Sequence, residues 1–590
     1  MKNPKTYYQQ QLEFNTQQAT GLKKRLLGLS TLRLIVFMAT AIAIYFAWGN
    51  YVIMAGIAFV GIALFIVLLV NYNKFKSKKI LHEALADINQ EELLIIESKF
   101  HHRKDGMAYQ DTQHFYSWDI DLFGRGSFFQ YMNRTATAEG GLQLAQALKA
   151  NDIKSITERQ LAITELSEMA DWSQLYAATA SLVKTETSAK AIMDWLKNHK
   201  PFIPKFMLWF PQVFSVFSIV LFGLCVAELI DFNYFGYWLF VGLLITGRFL
   251  KNINTLANNS DKTKNTFKQY ASLLDQIEQR SFSSQLLQAK QAQIQSQGKK
   301  ASAIFKSFSK KLDALDNRSN LISALFGNGY LLLDIKNAYQ VERWIGSYAQ
   351  TVEHWFEAVA FFDAYNSLGT YAYNHQDHVF PELMHNKSAI EAKGLGHPLL
   401  NKTKRVTSDL KIDQQQFFII TGANMAGKST FLRTVSLHIV MANVGLPVCA
   451  SASKYAPIKL ITSMRTSDSL TDDSSYFYSE LTRLKFIVDA IVEEPYFIIL
   501  DEILKGTNST DKAIGSKKFV EKLVAGKATG IIATHDLSLC SISEALDEVE
   551  NYYFDAEIIE DELYFDYKLK IGVCKNMNAS FLLRKMEIVD

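Results

Sequence analysis

Cysteine is scarce. The chain holds four, Cys225, Cys449, Cys540 and Cys574, far apart and without a C-x-x-C pair. That excludes a disulfide framework and a cysteine-built zinc site, and it fits a reducing compartment. An excess of charge is also missing. Lys and Arg total 62 against 59 Asp and Glu, a formal net charge of +3. No global basic field advertises nucleic acid, so any such contact must come from a local patch. The opening stretch MKNPKTYYQQQLEFNTQQ is polar and lacks the apolar core of a cleavable signal peptide. Hydrophobic residues make up 48% and aromatics 13%, high for a wholly soluble chain and low for one made of membrane spans alone. At ~100–200 residues per domain, the length predicts about three to five domains.

Two apolar pairs stand out. Residues 34–48 and 51–70 carry no charge and are separated by Gly49 and Asn50. An uncharged run of ~17–25 residues can cross a bilayer. Lys23, Lys24, Arg25 and Arg33 precede this pair, and Lys74, Lys76, Lys78 and Lys79 follow it. Basic residues at both outer ends place both ends on the cytoplasmic side. Residues 206–227 and 234–250 form a second pair around ELIDFN, flanked by Lys200, Lys205, Arg248 and Lys251, with Trp209, Tyr234, Tyr237 and Trp238 suited to the interface. A buried core helix is the competing reading of this pair, because its last segment is short and contains Arg248. Glu228 and Asp231 are expected at its outer turn. The chain is therefore read as a multi-pass protein of a bacterial-type inner or cell membrane, with four spans.

The rest divides by texture. A polar segment (1–30) precedes the first hairpin (31–72). Residues 76–205 read as polar-amphipathic helices, the second hairpin spans 206–250, and residues 252–392 are helical again. From 393 to 590, short apolar runs alternate with helical stretches: 417–420, 459–464, 496–500 and 529–534. That alternation indicates a mainly parallel sheet covered on both faces.

The stretch IITGANMAGKSTFLR (419–433) places Gly422, Gly427, Lys428 and Ser429 at the spacing G-x-x-x-x-G-K-[ST], with Ala423, Asn424, Met425 and Ala426 inside the loop and Thr430 after it. It follows an expected strand and precedes an expected helix, the context in which backbone N–H groups and a helix N-terminus grip phosphates. Lys428 should reach the β/γ-phosphates, and the Ser429 hydroxyl should ligate Mg²⁺. Asp501 ends an apolar strand and is placed to bind Mg²⁺. Glu502 can orient or deprotonate the attacking water. His535 ends a third strand, where it can contact the γ-phosphate. The expected chemistry is ATP hydrolysis with water as acceptor.

Longer segments resemble the MutS family. TGANMAGKST is similar to its phosphate loop T-G-P-N-M-G-G-K-S-T, with Ala423 and Ala426 in place of Pro and Gly. DEILKGTNSTD resembles its D-E-I-G-R-G-T-S-T-x-D, SYFYSE (475–480) its S-T-F-M-V-E, and ATHDLSL its A-T-H strand end. In the helical half, Asn133, Arg134, Thr135, Thr137, Gly140, Arg159 and Gln160 match the start of the family's core, while Leu142 stands where Arg is usual. FFDAYNSLGTYA (361–372) and GHPLL (396–400) resemble the elements leading into the ATPase domain. With the two apolar hairpins read as transmembrane, the resemblance implies an α + α/β chain: a helical lever/core domain interrupted by the hairpins, then a P-loop, ABC-like ATPase domain. It implies a homodimer with two nucleotides at its interface. Asn424 would help arrange the nucleotide, and Ser475 would lie where the partner subunit completes the site.

Mismatch readers of that family carry a Phe-x-Glu wedge in an N-terminal domain. Here the one Phe-Val-Glu, residues 519–521, lies in the ATPase region, and the long DNA clamp has no counterpart. One basic patch remains, KKASAIFKSFSKKL (299–312), read either as a solvated lever helix or as a contact for phosphate or anionic lipid. Two functions follow: an ATP-driven DNA-binding clamp tethered to the membrane, or an ATP-gated membrane assembly whose levers act on the hairpins without DNA. A transporter is disfavoured, since the spans offer few buried polar groups for a substrate path. Protein partners are not readable.

Overall fold

The computed structural model describes residues 3–183, 187–296, 298–316, 321, 323–384, 387–465, 476–559, 562–575 and 588. Helix α1 (Pro4–Phe46) starts at Asn3, whose side chain accepts from the Lys5 N–H, and helix α2 (Tyr51–Ile96) starts at Asn50, which accepts from the Ile53 N–H. Such caps satisfy amides that have no partner within the helix. Gly49, at φ +98°, turns the chain between them. The helices close on Gly61, where a Cβ would lie 2.4 Å from Thr40, so the small residue lets the backbones approach. The apolar windows of α1 and α2 are 0% and 6% buried, unlike a helix in a protein core.

Among the described residues, α1 and α2 are the two helices long and apolar enough to cross a membrane. The second expected pair is helical but falls short of that criterion. Helix α6 (Phe210–Val226) has 17 residues, ~26 Å at 1.5 Å per residue against a ~30 Å bilayer core. Its apolar partner is the head of a 48-residue helix, α7 (Phe232–Gln279), whose length is mostly polar. The expectation of four spans therefore reduces to two on length and composition.

The boundaries expected at 30 and at 72–76 fall inside continuous helices. Nothing in the sequence stops either helix where the apolar run ends, since no proline interrupts α2. At 46 residues α2 is ~69 Å long, more than twice the thickness of a ~30 Å bilayer core, and its polar C-terminal part forms a stalk. The polar start of α1 packs beside this stalk. Tyr8 donates to Asn374 at 2.6 Å and Tyr7 to Asp171 at 2.5 Å.

The helical core contains α3 (Ala138–Lys149), α4 (Ile156–Ser167), α5 (Ala170–Ser181), α7, α8 (Ala301–Asp316), α9 (Leu333–Tyr348) and α10 (Val352–Asn374). Helix α10 is buried nearly all round, through Trp355, Phe356, Phe362, Leu368 and Tyr371, as befits a central helix. On α8, Ile304, Phe305, Phe308 and Leu312 are buried while Lys306 and Lys310 are exposed. The apolar side of the basic patch is thus core packing, and its lysines face outward.

Two buried acids organise this half. Asp363 of α10 accepts from the Ala136 and Thr137 amides and, at 2.6 Å, from the Thr137 hydroxyl. Burial pushes its carboxyl up to about 6. A Cβ on Gly140 would sit 2.1 Å from that carboxylate, so glycine is required there. Glu92 of α2 pairs with Arg134 through two guanidinium nitrogens and accepts from Asn374 at 2.9 Å. Burial works to raise the Glu92 carboxyl, but Arg134 beside it holds it below the ordinary range.

Among the described residues the C-terminal half holds two larger sheets and a two-stranded antiparallel ribbon, Glu557–Ile559 with Glu562–Tyr564. Strands β1 (Glu382–Leu383), β2 (Ser388–Leu395), β3 (Ser408–Asp413) and β5 (Ala452–Tyr455) form a small sheet in the order β1-β5-β2-β3. The main sheet contains β4 (Phe417–Gly422), β6 (Lys459–Ser463), β7 (Tyr496–Asp501), β8 (Thr529–Ala533), β9 (Val549–Phe554) and β10 (Leu569–Ile571), in the order β10-β9-β4-β8-β7-β6. Five strands are parallel, and β10 pairs antiparallel to β9. Every residue of β4 and β8 is buried, which explains their unbroken apolar runs. Helices α11 (Lys428–Val444), α12 (Tyr476–Glu493) and α13 (Ser509–Ala525) belong to this domain.

The Glu92–Arg134 pair generates a stability prediction. Glu92→Ala leaves a buried guanidinium uncompensated and should destabilise the protein by about 3–5 kcal/mol. Glu92→Ala/Arg134→Met should recover most of that loss. Chemical denaturation of the full chain in detergent measures both. An equal loss in the two variants would show that the pair's charge is not what matters.

Candidate functional site

The loop between β4 and α11 is shaped by two glycines. Gly422 has φ +148°, and a Cβ there would lie 2.6 Å from the Phe554 carbonyl. Gly427 has φ +108° and caps α11, a conformation that costs side-chain-bearing residues energy. Met425, also at positive φ, is exposed together with Asn424 and Thr430, whereas Ala423 and Ala426 are buried.

Lys428 opens α11 and folds back over the loop. Its ammonium donates to the Gly422 carbonyl at 2.7 Å and the Ala423 carbonyl at 3.1 Å, and it lies 3.2 Å from His535 Nε2. Burial pulls its pKa below the ordinary lysine value. One residue on, the Ser429 hydroxyl donates to Asp501 Oδ2 at 2.6 Å. Asp501 ends β7, two strands from β4, with β8 between them.

Glu502 stands at φ +51°, a strained conformation for a side-chain-bearing residue. Its carboxylate contacts His535 Nε2 at 2.9 Å and Lys505 at 3.7 Å. The hydrogen bond from His535, with Lys505 and Lys428 nearby, holds the carboxyl down at about 2. Lys428, Ser429, Asp501, Glu502 and His535 therefore meet at the C-terminal ends of three adjacent parallel strands, where open α/β sheets place ligands. Ser475 lies outside the described residues.

A cavity of about 470 Å³ adjoins the loop. Its far wall includes Leu395, His397, Leu400, Val406, Phe554 and Tyr567, and burial pulls the His397 imidazole down to about 4. A neutral ring beside aliphatic and aromatic walls suits a flat heterocycle. The sequence reading quoted GHPLL without giving His397 a role, and it missed Phe554 and Tyr567, which lie far along the chain.

Glu480 was also missed. This buried carboxylate accepts from the Leu504 amide at 2.6 Å and the Lys505 amide at 3.1 Å, and burial raises its pKa. It anchors the loop after Glu502, where Leu504 is again at positive φ. The SYFYSE match held the signal, since its last residue is this Glu.

The domain is bolted to the helical core. Arg159 donates to the Asn443 carbonyl at 2.8 Å. Asn151 exchanges hydrogen bonds with the Leu460 backbone. Asp119 accepts from Thr462 at 2.5 Å and from the Arg465 amide at 3.0 Å. Gln160 donates to the Pro381 carbonyl at 3.0 Å.

The donor set suits Mg²⁺. A serine hydroxyl and a carboxylate are hard oxygen ligands, and nucleotide-bound Mg²⁺ typically takes few protein ligands, with phosphates and water supplying the rest. Among the described residues no cluster of three or more His, Cys, Asp or Glu forms a self-sufficient metal site.

Fold and site together define a mainly parallel α/β domain with a glycine loop between its central strand and the following helix. Residues 418–584 match the family model for MutS domain V. The chain is 32% identical over 214 residues to human MutS protein homolog 4, covering 34% of this chain and 22% of that protein. It is 32% identical over 237 residues to DNA mismatch repair protein MutS of Methanococcoides burtonii, covering 39% and 26%. It is 29% identical over 214 residues to DNA mismatch repair protein MutS 2 of Halobacterium salinarum, covering 35% and 25%. Through residues 418–584 the chain carries a MutS-family domain V. It spans about a quarter of the length of the curated relatives it matches.

Glu480→Ala leaves two loop amides without their acceptor, at a cost of about 1–3 kcal/mol. The expected outcome is retained ATP affinity with reduced turnover, because the loop carrying Glu502 loosens while the phosphate loop is untouched. Nucleotide titration beside a steady-state ATPase assay checks it; unchanged turnover would count against the anchoring role.

Proposed function

We propose that this chain is a membrane-tethered, Mg²⁺-dependent ATPase of the mismatch-repair superfamily, working as a homodimer and coupled to DNA binding. The observation that carries the reading is the convergence of Lys428, Ser429, Asp501, Glu502 and His535 inside the segment matched to MutS domain V. In this reading the base of ATP enters the apolar side of the cavity. Its phosphates lie on the loop amides and the N-terminus of α11. Lys428 exchanges the loop carbonyls for the β/γ-phosphates. Ser429 and Asp501 hold Mg²⁺, which neutralises phosphate charge when bound. Glu502, ionised throughout the neutral range, orients the attacking water and accepts its proton. His535 braces Glu502 and senses the γ-phosphate. Asn424 helps arrange the nucleotide.

The α1/α2 hairpin is the tether. Its exposed apolar windows suit lipid, and its basic flanks put the ATPase domain on the cytoplasmic side. DNA contacts would come from outward lysines such as Lys306 and Lys310.

A second reading is an ATP-gated assembly that acts on the membrane helices without DNA. The route of polar contacts favours it: Arg159 touches the ATPase domain, and Arg134, on the same side of the core sequence, holds the α2 stalk through Glu92.

Lys428→Ala should abolish ATP binding or weaken it severely. Glu502→Ala should keep binding and lower turnover by about a hundredfold or more. Equal loss of binding in both would sink this division of roles.

On DNA, binding through phosphates should weaken steeply with salt. Matched and single-mismatch duplexes should compete within about threefold, below the ~1–3 kcal/mol of one base-pair discrimination. Tenfold preference for the mismatch would reveal a reading element. Absence of salt-sensitive retention would favour the second reading.

A further inference from the structure

We infer that residues 323–331 form a re-entrant membrane segment packed against α6 and the head of α7. The inference rests on the reading that this second apolar pair enters the bilayer.

The segment lies between α8 and α9, inside what reads from sequence as a soluble helical region. Residues 319–333, SNLISALFGNGYLLL, carry no charged side chain. A π-helical turn (Ser323–Gly327) leads into a short helix (Asn328–Leu331), and Leu332 at φ +49° breaks the chain before α9. Both neighbouring helices belong to the core, so the segment leaves that core and returns to it on the same side.

Its contacts lie high on the apolar pair. Tyr330 stacks on Phe235 with ring centroids 4.1 Å apart, and its hydroxyl donates to the Phe235 carbonyl at 3.3 Å. Gly329 meets α7 at Gly242, where a Cβ would sit 2.1 Å from the Gly329 carbonyl. Phe235 lies ~20 Å along α7 from Arg248, the basic residue that marks the pair's lower end. In a bilayer core of ~30 Å, Tyr330 would then sit about two-thirds of the way across. If α6 and α7 enter the membrane, geometry carries the segment in with them.

The packing is that of a membrane protein rather than a water-soluble one. A polar group at the meeting of the three elements, Ser218, is buried and satisfied there. Ser218 is 3% exposed. Its hydroxyl donates to the Tyr330 carbonyl and accepts from Trp238 Nε1, both at 2.8 Å. The large apolar side chains face outward. Leu325, Phe326 and Leu331 are 39%, 51% and 36% exposed, and on the apolar pair Phe217 is 50% and Phe240 63% exposed. Irregular backbone at membrane depth is tolerated where protein covers it, and small residues at the crossing allow close approach. Lys310, Lys311 and Arg318 before the run, and Lys336 after it, supply the basic flank of a segment with cytoplasmic ends. The occupant of this apolar surface is lipid.

Single-cysteine variants of the full chain test this, against a low background because the four native cysteines are buried. L325C and F326C replace exposed side chains and should not disturb packing; F217C reports on α6, and K310C on water. A polar maleimide is supplied to both faces of native membrane vesicles and, separately, after denaturation, with gel filtration of each variant checking its fold. The expected result is loss of vesicle labelling at F217C, L325C and F326C, with K310C labelled fully. Labelling of L325C and F326C with F217C protected would overturn the re-entrant segment while leaving the second pair in the membrane. Labelling of F217C as well would overturn the membrane placement of the pair and this inference together.

Discussion

A charge removed from water must find an opposite charge, and in this protein that requirement joins the long apolar hairpin to the rest. Glu92 sits on the stalk of α2 and Arg134 in the loop before α3, and both are buried. Neither can be ionised there without the other, so the stalk has one seat on the core. The seat is fixed from the core side as well. The loop carrying Arg134 is pinned by Asp363 through Ala136 and Thr137, and by Ser367, which accepts from the Arg134 amide at 2.8 Å. A hydrophobic contact would hold the stalk with equal strength and less geometric specificity; an ion pair with directed hydrogen bonds sets rotation as well as distance.

The same logic recurs at the other end of the core. Arg159, Asn151 and Asp119 all bind backbone groups of the α/β domain, and Asp119 takes the Thr462 hydroxyl as well. Such contacts follow the path of the main chain, so a shift of α11 or β6 is felt directly in the helices that meet Asp363. The glycine loop lies at the N-terminus of α11, and Asn443 lies near its C-terminus. One helix thus connects the glycine loop to the core, and the Glu92–Arg134 pair, with the hydrogen bonds between Asn89 and Gln174, connects the core to the stalk. These contacts form a spatially contiguous path from the loop to the stalk.

Much of the α/β half was legible. The runs at 417–420, 459–464, 496–500 and 529–534 became β4, β6, β7 and β8, because strands buried on both faces must be continuously apolar. The strands of the small sheet, and β9 and β10, went unread. They are short or only half buried, so their residues carry no such constraint. The wall of the base cavity was hidden for another reason. Leu395, Phe554 and Tyr567 carry no reactive group, and they meet only because β2, β9 and the segment before β10 lie beside the loop. In the helical half, the ends of the apolar runs looked like element boundaries, yet α1 and α2 continue past them. Hydropathy reports the solvent, and helix propagation does not stop where the solvent changes.

The sequence by itself determined what depends on local spacing. The glycine loop, the acid pair at a strand end, the apolar hairpin at 34–70 and the balanced charge are properties of neighbours along the chain. Tertiary structure decided what depends on distant partners. It turned Glu92 and Arg134 from two ordinary surface-type residues into a buried pair and made Glu480 a loop anchor. It placed His535 between Glu502 and Lys428, and it lifted an uncharged loop against α6 and α7. These outcomes depend on which desolvated groups meet across long stretches of chain, and periodicity carries no record of that.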